Sequence, residues 1–176
     1  MYYSIIGILA LLILLINNIG ILKISPHKKI SPTNRAYRSF LQCLFLFYIA
    51  DFTWSGLYSL KFMHLLFAET TIFFIIMALT VYLWTQYVIS YLGRNSRFEK
   101  ILYHTGRGFF VFEIVVVLVN FLRPVLFWFD DGGDYHAGPA RYLILIIQIL
   151  KEFSEVLKIK KELLYARVIL EIYKAS

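Results

Sequence analysis

The chain has 176 residues, 60% of them hydrophobic and 18% aromatic, and its mean hydropathy is +0.68. Soluble domains hold nearer to about 45–50% apolar residues, so the composition argues against a water-soluble globule and for a bilayer as solvent. The net charge of +7 comes from basic residues in short gaps between apolar runs and in the tail. That distribution excludes the single basic face of a nucleic-acid binder. Cys43, the only cysteine, lies inside an apolar run, so no intramolecular disulfide can form.

In chain order, the first run spans Tyr2 to Leu22, and at 1.5 Å per residue it crosses a hydrocarbon core of about 30 Å. It lacks a basic leader and a small-residue cleavage site, which makes it a retained span and not a signal peptide. Asn17 and Asn18, near its inner end, can cap it or face neighbouring helices. Lys23, Lys28, Lys29, Arg35 and Arg38 follow, in a segment broken by Pro26 and Pro32, and Ser31-Pro32-Thr33-Asn34 is turn chemistry ahead of a helix start. The second run is Phe40 to Leu60, and Lys61, Met63 and His64 form a very short turn. The third, Leu65 to Leu92, exceeds the minimum span and must tilt or project, with Trp84, Tyr87 and Tyr91 placed as an interfacial aromatic belt.

A second basic gap holds Arg94, Arg97, Lys100 and Arg107, and a fourth run begins at Gly108 and ends on Phe127-Trp128-Phe129. Pro124 removes a backbone donor, so a kink or a loosened last turn is expected near the outer end of that helix. The turn carrying Asp130, Asp131 and Asp134 then leads to a fifth apolar run, Leu143 to Leu150, stopped by Lys151-Glu152. Eight residues cover only about 12 Å, so this run is expected to be a partial span. The sequence after it reads as a charged helix with Lys158–Glu162 and Arg167–Glu171 at i,i+4 spacing and no clean apolar stripe.

The expected fold is therefore all-α: a polytopic transmembrane helix bundle of four full spans and a partial fifth over residues 1–150, then a helical tail over 151–176. Basic residues crowd the first and third connections and acidic residues the fourth. The positive-inside rule places the N-terminus outside, the basic loops and tail in the cytoplasm, and the acidic turn outside the cell membrane.

Ionisable residues cost a few kcal/mol in hydrocarbon, so each marks a pairing or a site. Asp51, Ser55 and Tyr58 share one helix face, with Trp54 beside them, while Glu113, Asn120 and Arg123 fall within about 80° of one another. Asp51, His64, Glu69 and Arg123 could line an outward-facing polar cavity, and Glu113 lies lower, in reach of a cytoplasmic Arg or Lys. Three readings stay open: structural pairing such as Asp51 with Arg123, a ligand or signal pocket, or an ion path. Asp130, Asp134 and His136 could also hold a hard cation, although no loop of known type is present and a solvated turn is the simpler reading. No nucleophile–base pair, HExxH, Walker loop or CxxC occurs, and Gly132-Gly133-Asp134 lies outside the membrane, away from any cyclase context. Neither a cofactor nor a metal is expected.

Several short motifs recur together: Ala50-Asp51, Trp54-Ser55-Gly56-Leu57, Phe67-Ala68-Glu69-Thr70-Thr71, Trp84-Thr85-Gln86-Tyr87, Arg123-Pro124-Val125-Leu126-Phe127 and Tyr135-His136-Ala137-Gly138-Pro139-Ala140-Arg141-Tyr142. In this order they resemble the N-terminal multi-helix membrane region of bacterial GGDEF-type diguanylate cyclases and related hybrid sensor histidine kinases. The likeness covers residues 1–150 and implies a sensory input module that elsewhere controls cyclic di-GMP synthesis or a phosphorelay. After Leu150 the chain departs from that pattern, so the expectation is a non-enzymatic sensor without its output domain. Its expected partners are the lipid bilayer, an unidentified small-molecule or physical signal, and a second copy in a homodimer. The alternative is a small transporter or channel subunit, which would be expected to show an internal repeat and helices broken at mid-membrane.

Overall fold

The computed structural model describes residues 2–23, 31–92 and 97–175, with side chains at 7–23, 31–92, 99–161 and 164. Expectations that rest on Pro26, Lys28, Lys29, Arg94 and the Lys158–Glu162 and Arg167–Glu171 pairs lie outside these residues. Among the described residues, five helices carry almost all of the fold: α1 (Tyr2–Leu22), α2 (Pro32–Leu60), α3 (Met63–Leu92), α4 (Arg97–Asn120) and α5 (Pro139–Ala175). A two-stranded hairpin, β1 (Phe127–Phe129) and β2 (Tyr135–Ala137), joins α4 to α5. The central helix is α3, which touches α2, α4, α5 and β1, while α1 packs on α2.

Each helix boundary has a local cause. Ser31 caps α2, its hydroxyl accepting the Asn34 N–H at 3.2 Å, and Pro32 sits at the first helical position, where its missing N–H costs nothing. Lys61 ends α2 in the left-handed region (φ 55°), its N–H bonded to Tyr58 O, so the turn to α3 is only Lys61 and Phe62. The expected turn was longer, but Met63 and His64 already belong to α3.

The fourth helix departs further from expectation. Arg97, Lys100 and Arg107, expected in a loop, lie within α4, and the helix stops at Asn120, well before the aromatic triplet. Pro124 marks the helix exit, and Phe127-Trp128-Phe129 forms a strand. In the antiparallel ladder Phe127 faces Ala137, Trp128 faces His136 and Phe129 faces Tyr135. Strand alternation sends Phe127 inward, 1% exposed, and Trp128 outward, where its ring stacks on His136. The hydrophobic core gathers beneath this hairpin from Phe74, Val117, Leu126, Phe127 and Ile144.

The sequence broke the fifth run at Lys151. Instead, α5 continues through that position as one helix. Among the described residues, three helices have the length and composition to cross a bilayer: α2, α3 and the Glu99–Asn120 part of α4. Outside the hydrophobic core, burial departs from that of a soluble bundle. Ile16, Leu60, Leu118, Leu122, Ile149 and Leu150 are exposed, whereas Thr85, Glu113, Gln148, Lys151 and Glu155 are buried. Water would favour the reverse, so the surface is built for an apolar solvent.

Candidate functional site

A cavity of about 410 Å³ opens at the end of the bundle that carries the hairpin. Asp51, Trp54 and Tyr58 of α2, Phe74 of α3, Tyr135 of β2 and Arg141 of α5 form its walls. The residues from α2 reach it because positions three and four apart share a helix face. Tyr135 reaches it through the hairpin register, and Arg141 because α5 starts two residues before it, immediately after the hairpin.

Three rings form the aromatic side of the cavity. Trp54 stacks on Tyr58 with centroids 5.1 Å apart, and Tyr135 meets Trp54 edge-on at 5.9 Å. The Trp54 indole N–H donates to Thr70 Oγ1 at 3.0 Å, and Thr70 in turn donates to Leu66 O, so these polar handles are already engaged. Arg141 lies 5.5 Å from the Tyr135 ring centroid and donates from Nη1 to the Tyr135 hydroxyl at 2.9 Å. Among the described residues, that single bond leaves most of its five N–H donors unengaged. Asp51 has no hydrogen-bond partner among the described residues, and it forms no ion pair with Arg141. Its Oδ2 lies against Gly7 of α1, so close that a Cβ there would sit 2.9 Å away.

The other expected site residues scatter. Arg123 is exposed in the turn after α4 and makes no ion pair with Asp51; the helix ends before reaching it, so it never shares a face with Asn120. The cavity's guanidinium is that of Arg141. His64 is exposed in the first turn of α3. Glu69 accepts from Thr53 Oγ1 at 2.6 Å, linking α2 to α3. Asn120 is buried and works on the backbone: its Oδ1 accepts from Leu126 N at 2.8 Å and Phe127 N at 3.3 Å, and its Nδ2 donates to Phe127 O at 3.2 Å. It thereby fastens the chain leaving α4 to the start of β1.

The acidic turn is a folded loop. Asp130 Oδ1 accepts from Gly132 N and Asp134 N, while its Oδ2 meets His136 Nε2 at 2.9 Å. Gly133 takes φ 81°, where a side chain would be strained and a Cβ would strike Met63. The His136 contact, with help from backbone donors, holds the Asp130 carboxyl below the usual carboxylate range. Asp134 accepts from the Tyr58 hydroxyl at 3.1 Å, tying the turn to the cavity rim. Among the described residues no three His, Cys, Asp or Glu side chains converge as a metal site would require.

A second polar group lies deeper. Gln148 donates to Glu113 Oε1 at 2.5 Å, and Lys151 contacts both Glu155, at 3.1 Å, and the Thr85 hydroxyl. Thr85 Oγ1 also lies 3.1 Å from Glu155 Oε1 and 2.9 Å from Val81 O, so its one proton serves either acceptor. Glu113 Oε2 and Glu155 Oε2 are buried with no protein partner among the described residues. Gly106 of α4 makes room for this seam, since a Cβ there would sit 2.9 Å from Thr85 Cγ2. Glu113, expected to pair with a cytoplasmic cation, instead has a neutral amide as its hydrogen-bond partner.

No protein-family model, curated protein or solved structure matches this chain.

Proposed function

We propose that this chain is a multi-pass membrane signal-input module, with no catalysis of its own, that binds a small solute in the cavity beneath the hairpin. The observation that carries the proposal is a cavity of about 410 Å³ with a carboxylate unpaired among the described residues, a guanidinium and an aromatic wall. Pockets of about 300–1,000 Å³ with a few converging polar groups on an apolar lining are the usual form of small-molecule sites. The route to an output is physical. Arg141 lies at the cavity and Lys151 and Glu155 in the buried seam, all on the uninterrupted α5, so a solute that moves Arg141 moves that seam. The motif resemblance supports the sensory reading and suggests cyclic di-GMP or phosphorelay control by an output module. The proposed setting is the cell membrane, with the hairpin outside.

Thermal unfolding of the full chain in lipid nanodiscs, screened against a broad library of small solutes, tests this. A binding solute raises the midpoint, and Ser59→Trp, at the cavity wall, removes the shift without lowering the solute-free midpoint. A library with no stabilising solute, or a shift unchanged by Ser59→Trp, would refute the proposal. Transport is the second reading, favoured by the polar seam of Glu113, Gln148, Lys151 and Glu155 inside the bundle. It requires the same solute to accumulate in proteoliposomes.

A further inference from the structure

Asp51 and Arg141 are opposite charges on the wall of one cavity, yet they form no ion pair with each other. An acid and a base left apart in a low-dielectric site are each costly, and each is stabilised by a counter-charge brought from outside. Arg141 is bonded to the Tyr135 hydroxyl and lies by its ring, while Asp51 Oδ2 lies close to Gly7 of α1, where an added Cβ would crowd it. The Trp54, Tyr58 and Tyr135 rings line the same cavity, and their faces and edges favour an apolar or aromatic body and also tolerate an ammonium.

We infer that the cavity's ligand is an amino-acid-sized zwitterion whose ammonium meets Asp51, whose carboxylate meets Arg141 and whose apolar or aromatic body lies on the Trp54–Tyr58–Tyr135 wall. This rests on the solute-binding reading above and narrows it to one chemistry. A guanidinium suits a carboxylate because its planar fork donates two parallel bonds, which Lys at the same position could not supply. Asp51, with no other hydrogen bond among the described residues, has its acceptor capacity open to the three N–H groups of an ammonium. The Tyr135–Arg141 bond gives the site a means of signalling, because a carboxylate drawing on the guanidinium pulls on the hairpin and on α5 together.

Three probes with the same ring and chain separate the contributions: L-phenylalanine, phenethylamine without the carboxylate, and 3-phenylpropionate without the ammonium. The experiment is saturation binding of radiolabelled L-phenylalanine to the full chain in nanodiscs, with the other two as competitors. Each competitor should need at least a ten-fold higher concentration than unlabelled L-phenylalanine. Asp51→Asn should weaken L-phenylalanine at least ten-fold and abolish its advantage over 3-phenylpropionate, and Arg141→Gln should abolish its advantage over phenethylamine. Gly7→Ala displaces the Asp51 carboxylate while keeping its charge, and should weaken the two ammonium-bearing probes but not 3-phenylpropionate. It therefore serves if either charge variant fails to fold. Equal potency of phenethylamine or 3-phenylpropionate with L-phenylalanine would overturn the zwitterion assignment and leave solute binding standing. Binding of none of the three would also overturn it, and if the wider library is silent as well, the solute-binding reading falls with it.

Discussion

Asn120 illustrates how one side chain holds an irregular segment that helix geometry cannot. With α4 finished, the N–H groups of Leu126 and Phe127 have no intrahelical acceptor, and the buried amide supplies one. Asn120→Ala orphans at least the Leu126 N–H, at a cost of about 1–3 kcal/mol. Asn120→Asp keeps the acceptors but loses the donor to Phe127 O and should fall between the two. Thermal midpoints of the three proteins in detergent check the order; an alanine variant as stable as the parent would contradict it. Asp130 makes a different kind of contribution, one that depends on pH. Its folded carboxyl titrates below the ordinary value of about 4, so its contribution is complete above that value and fades as pH falls through the lowered one. Protection of the Gly132 and Asp134 amides, taken relative to intrinsic exchange at each pH, should therefore fall below about pH 4. At neutral pH Asp130→Asn, which keeps the Oδ1 acceptor, should loosen the turn less than Asp130→Ala. Protection insensitive to pH across that window would count against this role.

Helical spacing made part of the cavity legible at the scale of elements. Asp51, Ser55 and Tyr58 fall on one face by simple periodicity, and they do line the cavity with Trp54. Arg141 was missed because it stands at the head of an apolar run, apart in sequence from the charges within the spans; only the hairpin brings it round to α2. The hairpin had a signal of its own. Two aromatic-bearing triplets flank an Asp-Asp-Gly-Gly-Asp turn, with inward Phe127 and Phe129 alternating with outward Trp128. Mean apolarity hid this by making the triplet look like the end of a helix. The fifth helix misled for a related reason. Lys151-Glu152 looked like the end of a span, but Ile144, Gln148, Lys151 and Glu155 recur at 4-3-4 spacing and form the buried stripe, with Ile146, Ile149, Leu150 and Phe153 outward. Search for an apolar stripe fails on a helix whose inward face is the polar one.

That stripe sets an expectation for α5. Glu155 is 0% exposed and is neutralised by Lys151, so Lys151→Leu leaves a buried charge without compensation. Breaking one side of a buried pair costs about 3–5 kcal/mol, whereas replacing both sides by apolar groups of similar size is often neutral. Lys151→Leu or Glu155→Leu alone should therefore sharply reduce recovery of monodisperse protein, and Lys151→Leu combined with Glu155→Leu should restore it. Strictly additive losses in that double-mutant cycle would mean that the pair is not coupled.

The burial pattern and the placement of charge along α5 determine whether the helix crosses the bilayer. From Arg141 at the cavity to Lys158 is 17 residues, about 26 Å of helix, close to a hydrocarbon core of about 30 Å. Lys151, ten residues along, falls near the middle, where only internal pairing makes a charge tolerable, and the outward face carries Ile149, Leu150, Phe153, Val156 and Leu157, interrupted by the exposed Glu152 and Ser154. Lys158, Lys160 and Lys161 then gather at the far end, as cytoplasmic positive charge does. We therefore expect α5 to cross completely, with Asp131 outside and Lys158 inside, where the sequence alone suggested an incomplete span. Single cysteines at 131, 100 and 158 in a Cys43→Ala background, probed in intact cells with a membrane-impermeant maleimide, decide the matter. Labelling at 131 alone, with 100 and 158 reacting only after permeabilisation, is the expected pattern. Labelling at 158 in intact cells together with 131 would place both ends of α5 on one side and end the case for a crossing. Labelling at 100 and 158 but not at 131 would reverse the orientation and put the cavity in the cytoplasm.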